Sequence, residues 1–315
     1  MRNTKLSMLS AMLVFAWGCG PSPAANNNNK PENVNTAATP LPSNDTITVA
    51  ERPQAIRDLM KARGIQDEAR PVLKILMPGA NITVGSSTVK VKLLIGGDLK
   101  GYKPMMDQAT HAGNHIHVIL DNQPYEAFYD LDQIFELRNV ADGEHTLRVF
   151  PSRPWHESYK TAGAFQMIRF SVKKGGANAN QPVTTNSGQP MSNANAAPAR
   201  EGKEMQATTA GPVDPNKPLL TYSRPKGEYK GADADAIMLD FWLSSAKLVG
   251  EGGEYRVRYL IDGGEARFID KWWPIWLKGF GNGKHSITLE LVDKDGNLVD
   301  NGGYNSTTRE FAVTK

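Results

Sequence analysis

Two segments of this chain repeat each other at a fixed spacing, and the length of that period limits the fold more than any single residue does. Leu137-Arg138-Asn139-Val140-Ala141-Asp142-Gly143-Glu144-His145-Thr146-Leu147 falls on Leu277-Lys278-Gly279-Phe280-Gly281-Asn282-Gly283-Lys284-His285-Ser286-Ile287 at an offset of 140. The Leu, basic, Gly and His positions match in type. Upstream, at an offset of 141, His115-Ile116-His117-Val118-Ile119-Leu120-Asp121 falls on Arg256-Val257-Arg258-Tyr259-Leu260-Ile261-Asp262. Repeat arrays have periods of about 20–50 residues, so two copies at this distance mean duplicated domains. The same comparison separates positions that recur from positions that differ.

The remaining organisation follows from composition along the chain. Residues 1–18 carry Arg2 and Lys5 and then an apolar run from Leu6 to Trp17, too short to span a bilayer stably. The run ends at Gly18-Cys19, and Cys19 is the only cysteine. This arrangement resembles a bacterial lipoprotein signal, in which a small residue precedes a cysteine that becomes lipidated. The resemblance implies a membrane partner through a lipid anchor at Cys19. Because Gly20, not Asp, follows the cysteine, it favours the outer membrane or cell surface over the inner membrane. An ordinary export signal or a buried thiol is the competing reading. With no second cysteine there is no disulfide, so an exported chain must be held by its cores. The formal charge of +3 includes Arg2 and Lys5. A balance so near neutral points away from nucleic acid as a partner.

Residues 19–50 are rich in Asn, Pro, Ala, Ser and Thr and read as a disordered tether. Residues 51–69 read as a short helix, with Ile56, Leu59 and Met60 on one face and Gly64 as its stop. Residues 70–174 and 218–315 are the two copies. Residues 175–217 form a second low-complexity linker that should leave the copies free to reorient. Within the copies apolar residues alternate: Val89, Val91, Leu93 and Ile95, then Ile116, Val118 and Leu120, and in the second copy Ile237, Leu239, Phe241 and Leu243. Short alternating runs separated by turn residues predict an all-β chain, with one antiparallel sandwich per copy.

Gly143-Glu144-His145-Thr146-Leu147-Arg148-Val149 and Gly283-Lys284-His285-Ser286-Ile287-Thr288-Leu289 resemble a strand opening of bacterial immunoglobulin-like domains. Asp293-Lys294-Asp295-Gly296-Asn297 is similar to a turn seen there. The resemblance implies two immunoglobulin-like antiparallel β-sandwiches joined by a disordered linker, in an extracellular setting. It implies no activity, since such domains serve as spacers, adhesins and binding modules.

Five of the six histidines lie in the first copy. His115 and His117 share one face of a strand, opposite Ile116, Val118 and Leu120, so the alternation places them on the solvent side. With His111 folding back from the preceding loop, a His-x-x-x-His-x-His set has the donors for Zn²⁺ or Cu²⁺. The second copy has Arg256 and Arg258 where the first has His115 and His117, so a plain polar outer face explains the pair equally simply. His145 and His285 recur, and read as structural histidines bonded to a neighbouring turn. Trp155, Trp242, Trp272, Trp273 and Trp276 form aromatic clusters, with Trp242 and Trp155 expected to be the more exposed. Exposed indoles stack on sugar rings, which points to a glycan; the alternative is that most of them fill the cores. No nucleophile is paired with a base, and no phosphate-binding loop occurs. The leading expectation is a non-enzymatic, lipid-anchored envelope protein that binds or scaffolds, with an envelope protein or glycan as partner. Metal binding and glycan binding are the alternatives.

Overall fold

The computed structural model describes residues 46–186 and 212–315. Cys19, its signal-type segment, the tether up to residue 45 and the linker over 187–211 lie outside the described residues. Among the described residues no helix is long and apolar enough to cross a membrane.

The alternation forms strands with the expected parity. In the first sandwich β2 (Arg70–Met77), β4 (Val89–Asp98) and β7 (Phe135–Arg138) make one sheet, whose far edge is β10 (Thr184–Thr185). The facing sheet runs β3 (Thr83–Val84), β9 (Gln166–Val172), β8 (Gly143–Ser152), β5 (His115–Leu120) and β6 (Glu126–Phe128). The second sandwich repeats this order. Strands β11 (Leu219–Arg224), β13 (Ile237–Ser244) and β16 (Ile275–Lys278) face β12 (Gly227–Lys230), β18 (Ser306–Thr314), β17 (Gly283–Asp293), β14 (Tyr255–Ile261) and β15 (Arg267–Ile269). All pairings are antiparallel except β3 with β9 and β12 with β18. In both copies the first strand crosses from one sheet to the other through a cis X-Pro bond, Met77-Pro78 and Arg224-Pro225. This order is that of immunoglobulin-like sandwiches, and both copies have it.

The cores follow the alternation. Leu73, Val89, Val91, Leu93, Ile116, Val118, Phe135, Leu147 and Val149 fill the first. Leu239, Phe241, Val257, Tyr259, Leu277, Ile287 and Leu289 fill the second. The recurrent histidines clip one turn to one strand in each copy. His145 Nδ1 lies 2.8 Å from the Asp121 carboxylate and Nε2 lies 2.9 Å from the Ala141 carbonyl. His285 reaches Asp262 at 2.8 Å and the Gly281 carbonyl at 3.0 Å. The other carboxylate oxygen accepts the next backbone N–H, from Thr146 at 2.8 Å and from Ser286 at 2.6 Å. The shared Gly-x-His-Thr/Ser signature is therefore a turn clamp, repeated because the fold is.

Two connecting segments are more ordered than their composition predicts. Residues 46–50 fall inside the expected tether, yet β1 (Thr48–Ala50) adds antiparallel to β16 at the edge of the second sandwich. Ile47 enters that sandwich's core, and Arg267 donates to its carbonyl at 2.5 Å. The chain then passes through α1 (Gln54–Arg63) and a 3-10 turn at Gly64–Glu68 before starting the first sandwich. Arg52, between β1 and α1, lies 4.9 Å over Trp276 of the second sandwich and pairs with Glu157 of the first at 3.0 Å. Residues 46–68 are thus a strap across both sandwiches. Likewise β10, inside the expected linker, caps β7.

The sandwiches pack on each other, which corrects the expectation that they reorient freely. The outer face of β5, β6 and β8 meets the outer face of β11 and β13. Ile119, Tyr125, Ala127, Phe150 and Ala164 of the first copy cluster with Trp242 of the second, with Phe165 and Trp272 at the margin. Trp242 stacks on Phe150 and Phe165 at 5.5 and 5.6 Å between centroids. Polar contacts close the seam. Asp240 accepts from Lys160 at 2.5 Å, and the wholly buried Arg148 donates to Thr221 at 2.7 Å. A sheet apolar on both faces needs a partner on each, and here the other copy is that partner.

Candidate metal centre

The seam decides where the histidines point. His115 and His117 do lie on the outer face of β5, but that face is covered and both side chains are fully buried. Placing them in solvent is therefore wrong, although their parity is right. His111 does not join them: it sits exposed at φ 53° in the Asp107–His111 turn. The third imidazole is His156, which the sequence reading missed. It lies in the turn after β8, closed by Arg153 N–H to Glu157 O and His156 N–H to Arg153 O, each 2.9 Å. His156 has φ 68°, a left-handed conformation that histidine tolerates better than most residues.

His115 Nε2 lies 3.0 Å from His117 Nε2 and 3.0 Å from His156 Nδ1. The three ligand atoms fall within 4.8 Å of one another, and this is the only His, Cys, Asp or Glu group of three or more so placed among the described residues. Partners outside the triad orient the rings. The Gly113 carbonyl lies 2.8 Å from His115 Nδ1 and only accepts, so Nδ1 carries the proton and Nε2 offers its lone pair. Gly113 is required there, because a Cβ would collide with the Met105 carbonyl oxygen. His117 Nδ1 is 3.3 Å from Ser223 Oγ, on β11 of the second sandwich. Both copies therefore build the centre.

Aromatic and charged neighbours complete it. Tyr125 stacks face to face on His117, with centroids 3.6 Å apart and planes at 10°, and its Oη is 3.2 Å from His156 Nδ1. Lys226 Nζ sits 4.3 Å from the Tyr125 ring centroid and Arg224 5.4 Å from it. Burial, then Arg224, His115 and Lys226, hold the His156 imidazole well below its ordinary pKa, so it is neutral at neutral pH. Converging imidazole nitrogens are donors for a borderline metal ion, and zinc–nitrogen bonds of about 2.0–2.1 Å place neighbouring ligands of a tetrahedron about 3.3 Å apart.

The tryptophans separate. Trp242 and Trp276 are buried, correcting the expectation that Trp242 is exposed. Trp155 is half-buried, its indole N–H donating to Glu157 at 2.8 Å, and Trp272 donates to the Phe241 carbonyl at 3.1 Å. Of the five, only Trp273 shows most of its surface, at 63% exposure.

Fold and centre together define a tandem immunoglobulin-like protein with a histidine cluster in the seam between its sandwiches. No family model and no curated protein sequence matches this chain. Among solved structures it is similar to the fibronectin(III)-like modules of CbhA from Clostridium thermocellum, at 11% identity over 77% of this chain and 94% of that one, with a TM-score of 0.24. It is also similar to the central fibronectin-III array of RIM-binding protein, at 8% identity over 79% and 71%, TM-score 0.23. The D00-D0 domain of intimin gives 11% identity over 76% and 100%, TM-score 0.20. At such distances the fold rests on the strand order described above.

Proposed function

We propose that this chain is a binding and scaffolding protein of the cell envelope that holds a Zn²⁺ or Cu²⁺ ion in the seam between its sandwiches. The observation that carries the metal reading is the convergence of His115 Nε2, His117 Nε2 and His156 Nδ1, with the His115 tautomer fixed by Gly113. The envelope setting rests on the charged and apolar run over residues 1–18 that closes on Cys19, and the scaffolding role on the strapped pair of sandwiches. Bound metal would tie the two copies through Ser223 as well as fill the site. Calorimetry of the metal-free chain with Zn²⁺ and Cu²⁺ tests this. His156→Ala should weaken binding by more than the about 10- to 100-fold typical of losing an outer partner, while His111→Ala should leave it unchanged. Equal effects of the two substitutions, or no binding by the native chain, would refute the assignment.

A further inference from the structure

Building on the metal reading above, we infer that Tyr125 is the fourth ligand of this centre, as phenolate, and that the ion it selects is Cu²⁺. Three contacts link four donor atoms in series: Tyr125 Oη to His156 Nδ1 at 3.2 Å, His156 Nδ1 to His115 Nε2 at 3.0 Å, and His115 Nε2 to His117 Nε2 at 3.0 Å. Each is within a few tenths of the about 2.9 Å that separates cis ligands of a tetragonal Cu²⁺ site with bonds of about 2.0–2.1 Å. The hydrogen bonds of the metal-free cluster therefore join the atoms that an ion would join. The phenol cannot leave this position easily. Its ring is buried, and the face-to-face stack on His117 fixes its plane.

Charge gives the second argument. Three imidazoles contribute no negative charge to a bound dication. The phenolate oxygen supplies an anionic ligand to the dication at the position already in contact with His156. When the ion binds, the Oη–H bond breaks, the O–Cu bond forms and the proton leaves to water; copper stays divalent. A nitrogen-and-oxygen donor set suits Cu²⁺, which also binds more tightly than Zn²⁺ in the divalent series.

The test uses the full metal-free chain titrated with Cu²⁺ and read by calorimetry, electron paramagnetic resonance and visible absorption. The expected result is nitrogen hyperfine structure from the imidazoles together with a visible phenolate-to-copper charge-transfer band. Tyr125→Phe should abolish the band, keep the nitrogen signature and weaken Cu²⁺ by at least about tenfold. Resonance Raman on native chain carrying ring-deuterated tyrosine gives the same reading without a substitution: the enhanced modes should shift on labelling. Copper bound with nitrogen hyperfine but no charge-transfer band, or a band that survives in Tyr125→Phe, would overturn the tyrosine assignment while leaving the triad in place. Absence of copper binding would overturn both, and calorimetry distinguishes the two failures.

Discussion

Replacing Asp240 by Asn tests the seam at a fully buried charge. The Asp240 carboxylate is fully buried on β13, while its partners come from the first sandwich. It accepts from Ser158 N–H at 3.1 Å, Ser158 Oγ at 2.8 Å and Lys160 Nζ at 2.5 Å. Lys160, its side chain 13% exposed, also donates to Ser158 Oγ at 2.7 Å and the Phe241 carbonyl at 3.0 Å. Asparagine keeps the shape and one acceptor but leaves the ammonium without its counter-charge. Breaking a buried pair on one side costs about 3–5 kcal/mol. Removing both charges, as Asp240→Leu with Lys160→Met, should recover most of that, because desolvation of both ions disappears with them. Urea unfolding followed by tryptophan fluorescence, with Trp242 and Trp272 as reporters in the seam, measures each variant against the native chain. The native chain should unfold in one transition and Asp240→Asn in two, the sandwiches parting first. A loss below about 1 kcal/mol, the range of solvent-exposed pairs, with the transition still single, would refute the buried seam.

Three further perturbations address the strap, the site and the turn clamps. At Gly279, φ is +104° and a Cβ would collide with the Thr46 carbonyl oxygen, so Gly279→Ala should cost about 1–3 kcal/mol; faster hydrogen exchange at Thr48–Ala50 would show β1 leaving β16. Arg52→Ala removes the 3.0 Å pair to Glu157, beside His156, and should cost about 1.5–3 kcal/mol; metal affinity should fall with it, and an unchanged affinity would mean that the strap does not hold the His156 turn. At His145 burial opposes the charge, but the Asp121 carboxylate outweighs it and the pKa is raised above 6.5. The stabilisation is therefore complete below about pH 6.5 and lost as pH rises through the folded-state value, so His145→Gln should destabilise the chain more at pH 6 than at pH 8, and an effect larger at pH 8 would contradict the sign.

The fold was legible because its signals are local. Alternation fixed the parity of β4, β5, β13 and β14, and the 140-residue repeat identified His145 and His285 as equivalent clamps. What surrounds a face was harder to read, because burial depends on neighbours distant in sequence. His115 and His117 match Arg256 and Arg258 in register, and that match argued for a plain polar surface. The copies are equivalent in topology but not in environment. The outer face of β14 stays partly in solvent, where Arg256 pairs with Asp270 and Arg258 with Glu290, both at 2.6 Å. The outer face of β5 is covered by the other copy. A signal of this difference was present: Val118-Ile119-Leu120, Val149-Phe150 and Phe241-Trp242-Leu243 are apolar on both parities, the pattern of strands buried on both faces. That pattern assigns Trp242 to an interface and places His115 and His117 beneath one. His156, Tyr125 and Ser223 carry no such signal. They are brought to the pair by a turn after β8, by the β5–β6 connection and by a strand of the other sandwich. Non-recurrence of His111, His115, His117 and the tryptophan cluster marked where specialisation lay, and only the packing of one copy on the other shows that His156, not His111, completes the triad.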